Sequence, residues 1–77
     1  MTPKSADALT TLRRMARGHA GASSGELAAW DILQNLRDGT PVNFGDCFVR
    51  LDGSGKRTVV LLLIDLASGR TGLNELE

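Results

Sequence analysis

Residues 59–66 read Val-Val-Leu-Leu-Leu-Ile-Asp-Leu, and nowhere else is the chain apolar over so long a stretch. Removing aliphatic surface from water is the main favourable term in folding, so any stable state must sequester this run. It is far shorter than the roughly 20 apolar residues that span a bilayer, and Asp65 interrupts it. No membrane association is expected, and the rest of the chain has to provide the cover. The 77 residues suffice for one domain, 1–77, around one small core. An apolar content of 42% can build that core, and 23% charged residues argue against disorder.

Two helices precede the run. Ser5 is a good N-cap, Asp7 follows in the first turn, and Leu9, Leu12 and Ala16 recur at i, i+3 and i+7. Arg13, Arg14 and Arg17 crowd the end before Gly18, where cations suit the helix dipole. The spacing predicts a helix over 6–17. Ser23 and Glu26 form a capping box, Ala28, Ala29, Ile32, Leu33 and Leu36 form a stripe, and Asp38-Gly39 closes it. This predicts a helix over 24–38, with Leu27 and Trp30 at the edge of its stripe or outside it.

The stretch after Thr40-Pro41 admits two readings. Asn43 can cap a helix over 44–51, with Asp46 at its third position and Phe44, Cys47, Phe48 and Leu51 as its stripe. Asp52 or Ser54 then caps a last helix over 55–68, apolar nearly all round because its neighbours cover it. Alternatively, 46–51 and 57–64 pair as a β-hairpin, which the β-branched Thr58, Val59 and Val60 favour. Alternation along that first arm would put Arg50 on the side of Phe44 and Phe48, and the apolar second arm would leave a bare edge. The periodicity therefore favours an all-α, compact four-helix domain over an α+β domain of two helices on a hairpin. Leu63 is placed in the core on either reading, and Leu73 and Leu76 of the tail either dock or fray.

The order Ala8-Leu9…Leu12-Arg13-Arg14, then Ser23 to Glu26 opening Leu27-Ala28-Ala29-Trp30…Leu33, then Asn43-Phe44-Gly45-Asp46…Leu51-Asp52 resembles an uncharacterised family of small helical proteins. Its members occur in proteobacteria and on their phages and plasmids. The resemblance implies an all-helical fold and a mobile-element context, and it brings no catalytic residues. The chain departs from the family in having a single tryptophan and a Gly-Ser-Gly insertion before the last helix.

Signs of chemistry dissolve on inspection. Gly53-Ser54-Gly55-Lys56 suggests a phosphate loop, but the motif needs glycine where Arg50 stands and serine or threonine where Arg57 stands. A solvated turn is expected. Cys47 lies in an apolar stripe beside Asp46, which suits a small core residue and not a reactive thiolate. As the one cysteine, it forms no internal disulfide. His19 is the one histidine, so neither a structural zinc site nor a triad with an oriented base can be assembled. Asp46 and Asp52 each have a capping or surface role. The sequence predicts no enzyme, metal or cofactor.

Binding remains. Lysine and arginine balance aspartate and glutamate nine to nine, which is unlike the basic field of a general nucleic-acid binder. The leading expectation is a non-enzymatic protein-binding module, an inhibitor or adaptor of a host complex in an anti-CRISPR-like or toxin-neutralising role. Leu27 and Trp30 would be its anchors, with Arg13, Arg14 and Arg17 beside them, since Trp and Arg dominate binding hot spots. The alternative is a small DNA-binding regulator using Lys4, Arg13, Arg14 and Arg17, although no recognition helix follows that cluster. A symmetric dimer through exposed leucines is also compatible with the pattern. The absence of a signal-peptide pattern at the N-terminus makes the cytoplasm the expected compartment.

Overall fold

In the computed structural model, which describes residues 1–76, the first helix, α1, runs Pro3–Met15, shifted toward the N-terminus from the expected 6–17. The cause is a capping box opened by Thr2 and not by Ser5. The Thr2 hydroxyl accepts the Ser5 N–H at 3.1 Å, and the Ser5 hydroxyl accepts the Thr2 N–H at 3.0 Å. Ser5 thus takes the place that glutamate fills in the usual box, and Pro3 occupies the first helical position, where its missing N–H is no loss. At the other end Ala16 turns extended, and the Arg17 N–H donates to the Glu26 carbonyl at 3.2 Å. Only Arg13 and Arg14 therefore lie in the last turn.

The second helix, α2, runs Ser24–Asp38, as the spacing predicted. Ser23 and Glu26 make their capping box, and Gly39 closes the helix at φ 77°, a left-handed conformation that glycine adopts without strain. The third, α3, is Phe44–Arg50, capped by Asn43, with Leu51 just past its end. The fourth, α4, is Gly53–Ala67. A 3-10 turn, Leu73–Leu76, follows. Among the described residues there is no strand, so the hairpin 46–51/57–64 does not form. Asn43 and Asp52 each satisfy an orphan amide at a helix start, and these local bonds hold both arms helical despite Thr58, Val59 and Val60. The Asp52 carboxylate accepts the Gly55 N–H at 2.7 Å, so Gly53-Ser54-Gly55-Lys56 is the first turn of α4 and not the solvated turn expected.

The core is shared by α1, α2 and α4, with contributions from α3 and the terminal turn. Leu12, Ile32, Leu33, Val59, Leu62 and Leu76 are its largest fully buried side chains. Helix α4 packs chiefly on α1, while α3 and the terminal turn pack on α2. Leu76 docks and Leu73 stays exposed; the Leu76 carbonyl accepts Arg13 Nη2 at 3.2 Å and Arg37 Nε at 3.1 Å. The four helices give a radius of gyration of 11.5 Å, which matches about 11.5 Å expected for a folded chain of this length.

Two expectations about apolar faces need correction. Within the stripe of α3, Cys47 and Leu51 are buried, but Phe44 is exposed and stacks on half-buried Phe48 with ring centroids 5.7 Å apart. Phe44 sits at the first position of α3, where its ring reaches past the helices that cover Cys47 and Leu51. Helix α4 is not covered all round. It buries Thr58, Val59, Leu62 and Asp65, leaves Leu61, Leu63 and Leu66 half-buried, and exposes Val60 and Ile64. Leu62, and not Leu63, is the deepest residue of the run.

Asp65, which interrupts the apolar run, is only 3% exposed. Its carboxylate accepts the Thr2 hydroxyl at 2.8 Å and the Arg70 guanidinium at 3.5 Å. Thr71 donates in turn to Ser5 at 3.1 Å, so this network ties the start of α1 to the segment after α4. Hydrogen bonding from Ser5 and Thr2, with help from Arg70, holds the Asp65 carboxyl below its ordinary range in spite of burial. Among the described residues, every buried side-chain nitrogen or oxygen has a hydrogen-bond partner.

Candidate functional site

The basic residues of the first helix do not make one patch. At about 100° per residue, Lys4 and Arg13 lie roughly 180° apart around α1. Arg13 turns toward the terminal 3-10 turn and donates to Leu76. Arg17, beyond the helix, pairs with Glu26 at 2.9 Å. The Ser23 amide and hydroxyl, and then Arg17, hold the Glu26 carboxyl below its ordinary range. Arg14 is exposed and has no ion-pair partner among the described residues. Lys4 is thus separated from the arginines, which stay at the end of α1 but differ in their partners.

Leu27 and Trp30 do share a side of α2, about 60° apart on the helix, and that side points away from the stripe of Ala28, Ala29, Ile32 and Leu33. Leu27 is half-buried and Trp30 is 37% exposed. The inner side of the indole lies against Gly18, where an added Cβ would come within 2.4 Å of Trp30 Cε2. One face of the ring therefore pins the loop between α1 and α2, and the other is open.

A second apolar surface lies along α4 beside α1. Arg57, Val60, Leu61 and Ile64 stand at i, i+3, i+4 and i+7 and form a second stripe on α4, in which Leu61 still packs against the core and the others are exposed. Val60 is 43% exposed and Ile64 is 52% exposed. Three shallow depressions of about 310, 290 and 500 Å³ meet at Leu61. Two of them are lined by both helices and form a groove whose other wall is α1, through Lys4, Asp7, Ala8 and Thr11, while the third, with Val60, lies on α4 alone beside it. Its rim is charged: Lys4, Lys56, Arg57 and Arg70 against Asp7 and the buried Asp65. Four cations against two carboxylates leave a local excess of +2 (4 − 2) on a chain that is neutral overall. Lys4, Lys56 and Arg57 have no ion-pair partner among the described residues.

Sequence reasoning missed this groove because it took the whole run as core. The signal was present. A helix apolar on two sides, in a chain with only three others, one of them seven residues long, lacks enough partners to cover both. A further cleft, about 330 Å³ between Met15, Ser23, Gly25, Glu26, Arg50 and Asp52, is lined by charges of both signs. Arg50 is engaged there by Asp46 at 3.2 Å. Among the described residues, no three His, Cys, Asp or Glu side chains converge as a metal would require, and no helix is long and apolar enough to cross a membrane. Cys47 is buried and His19 is exposed in its loop.

Comparison with known proteins returns nothing: no family model, no curated protein and no solved structure matches this chain.

Proposed function

We propose that this protein is a non-enzymatic protein-binding module and that the groove between α1 and α4 is its principal contact surface. The observation that carries this reading is the Val60–Leu61–Ile64 stripe. A small helical domain gains stability by burying aliphatic side chains, and here two of them face water beside a half-buried third, at a groove with a polar rim. Such a stripe suits a partner helix, the mode in which apolar anchors at helical spacing enter a groove. The open face of Trp30, with Leu27, offers a second and smaller contact. The finer form of this proposal is an inhibitor or adaptor that acts by occupying a surface of a host complex.

Capture of partners from a bacterial lysate at physiological salt tests this reading. Wild type would be run beside Val60→Asn/Ile64→Asn, Trp30→Ala and Arg13→Ala/Arg14→Ala/Arg17→Ala. The reading expects a discrete protein complex, lost with the α4 double variant and weakened by Trp30→Ala. Recovery of nucleic acid alone, abolished by the arginine changes and by raised salt, would replace it with a DNA-binding regulator.

A further inference from the structure

We infer that the occupant of the α1/α4 groove is an acidic amphipathic helix of a partner protein. This inference rests on the protein-binding reading above and adds the chemistry of the partner. The groove dictates three properties. Its apolar floor is Leu61 and Ile64, with Val60 exposed beside them on α4, and with Arg57 the stripe covers about 10 Å, or two helical turns. A partner segment of three turns spans it. The walls are two packed helices whose backbone amides and carbonyls are bonded within the helices, so there is no sheet edge for an extended strand to join. A third helix laid in the groove repeats the ridge-into-groove contact that α1 and α4 make with each other.

The rim sets the sign of the partner's charge. Lys56 and Arg57 stand at one end, Lys4 with Asp7 on the α1 side and Arg70 at the other end, so cations outnumber carboxylates around the apolar floor. Arg70 is already drawn to Asp65, whereas Lys4, Lys56 and Arg57 are unpaired among the described residues. A partner helix with leucine-like anchors on one face and Asp or Glu flanking them satisfies both floor and rim. A second copy of this chain is a poorer occupant. A two-fold axis would set the same cationic rim against itself, and like charges opposed across an interface are costly. A basic helix is disfavoured for the same reason.

The test is a display library of random amphipathic helices about 16 residues long, or about 24 Å, sorted for binding to the full chain and depleted against its Val60→Asn/Ile64→Asn variant. Circular dichroism first verifies that the variant keeps its helices. The expected winners carry net negative charge beside their apolar face. Their affinity falls about tenfold or more on Lys56→Glu/Arg57→Glu, as for close charge pairs across an interface. Winners with acidic residues changed to lysine should bind that charge-reversed protein better than wild type. If the winners depend on Val60 and Ile64 but are neutral or basic, the groove still binds protein and the acidic-partner inference is overturned. If the winners ignore Val60 and Ile64, the reading of the groove as a contact surface falls with it. Two further measurements can also overturn the inference: concentration-dependent dimerisation by light scattering, or flotation with phosphatidylglycerol vesicles, in either case abolished by the α4 variant. The first makes the occupant a second copy, the second an anionic lipid surface.

Discussion

Helices α2 and α4 have the same length, 15 residues each, yet they distribute polarity in opposite ways. Helix α2 turns alanine, isoleucine and leucine inward and leaves most of its polar groups outside. Helix α4 buries a threonine and an aspartate among its inward residues and presents valine and isoleucine to water. The inward face of α2 is aliphatic, and of its large apolar side chains Trp30 is the exposed one. In α4 one face is packed into the core, and the outer face leaves Val60 and Ile64 exposed to water. Asp65 is tolerated inside because Thr2, Ser5 and Arg70 surround it with donors, while Val60 and Ile64 have no counterpart on another element.

The comparison can be broken at several points. The largest effect belongs to the shared core. Leu62→Ala on α4 and Ile32→Ala on α2 should each destabilise by about 2–5 kcal/mol, read by urea unfolding, because both side chains are fully enclosed. A much smaller loss at Leu62 than at Ile32 would mean that α4 is not part of the core on its inner side.

Next in size is Asp65. Replacing it with leucine should lower the thermal midpoint at neutral pH, since Thr2 and Arg70 would lose their common acceptor. The pH dependence has a definite sign. The Asp65, Glu26, Asp38 and Glu75 carboxyls are all held below their ordinary values: Asp65 chiefly by Ser5 and Thr2, Glu26 by Ser23, Asp38 by Thr40, and Glu75 by the Gly72 amide. Below its ordinary carboxyl range the unfolded chain therefore binds more protons than the native state. Stability is fully present above that range and falls as pH drops through the native values. Acid titration of the thermal midpoint should show this fall, and Asp65→Asn should make it shallower. An unchanged acid profile in Asp65→Asn would remove Asp65 from the account.

A smaller effect is expected at the start of α2. Ser23→Ala removes the acceptor of the Glu26 N–H and should cost about 1 kcal/mol, the usual loss for a serine cap. The smallest is the most informative. Val60→Asn/Ile64→Asn should shift stability by no more than about 0.5 kcal/mol per site, as for other surface changes. A loss of several kcal/mol on thermal melting would show that the outer face of α4 belongs to folding after all, and the contrast with α2 would disappear.

The sequence by itself determined the all-α class, the bounds of α2 and the start of α3, because these depend on neighbours only three or four residues apart. Ser23 with Glu26 and Asn43 with Asp46 are complete within one helical turn, so they can be read without knowing the fold. It also placed Cys47 and His19 correctly, one buried and one exposed. The start of α1 was equally local but written in an unusual form, a Thr2–Ser5 box behind a proline. Other features were decided only by tertiary structure. Which side of α4 would be covered depended on how many helices were left to cover it, a count taken over the whole chain. The acceptability of Asp65 in the interior depended on Thr2 and Arg70, the former 63 residues away in sequence. The different partners of Arg13 and Arg17 depended on Leu76 and Glu26, which reach them only after folding. Periodicity reports that a residue shares a face with its neighbours; whether that face meets protein or water is a property of the assembled molecule.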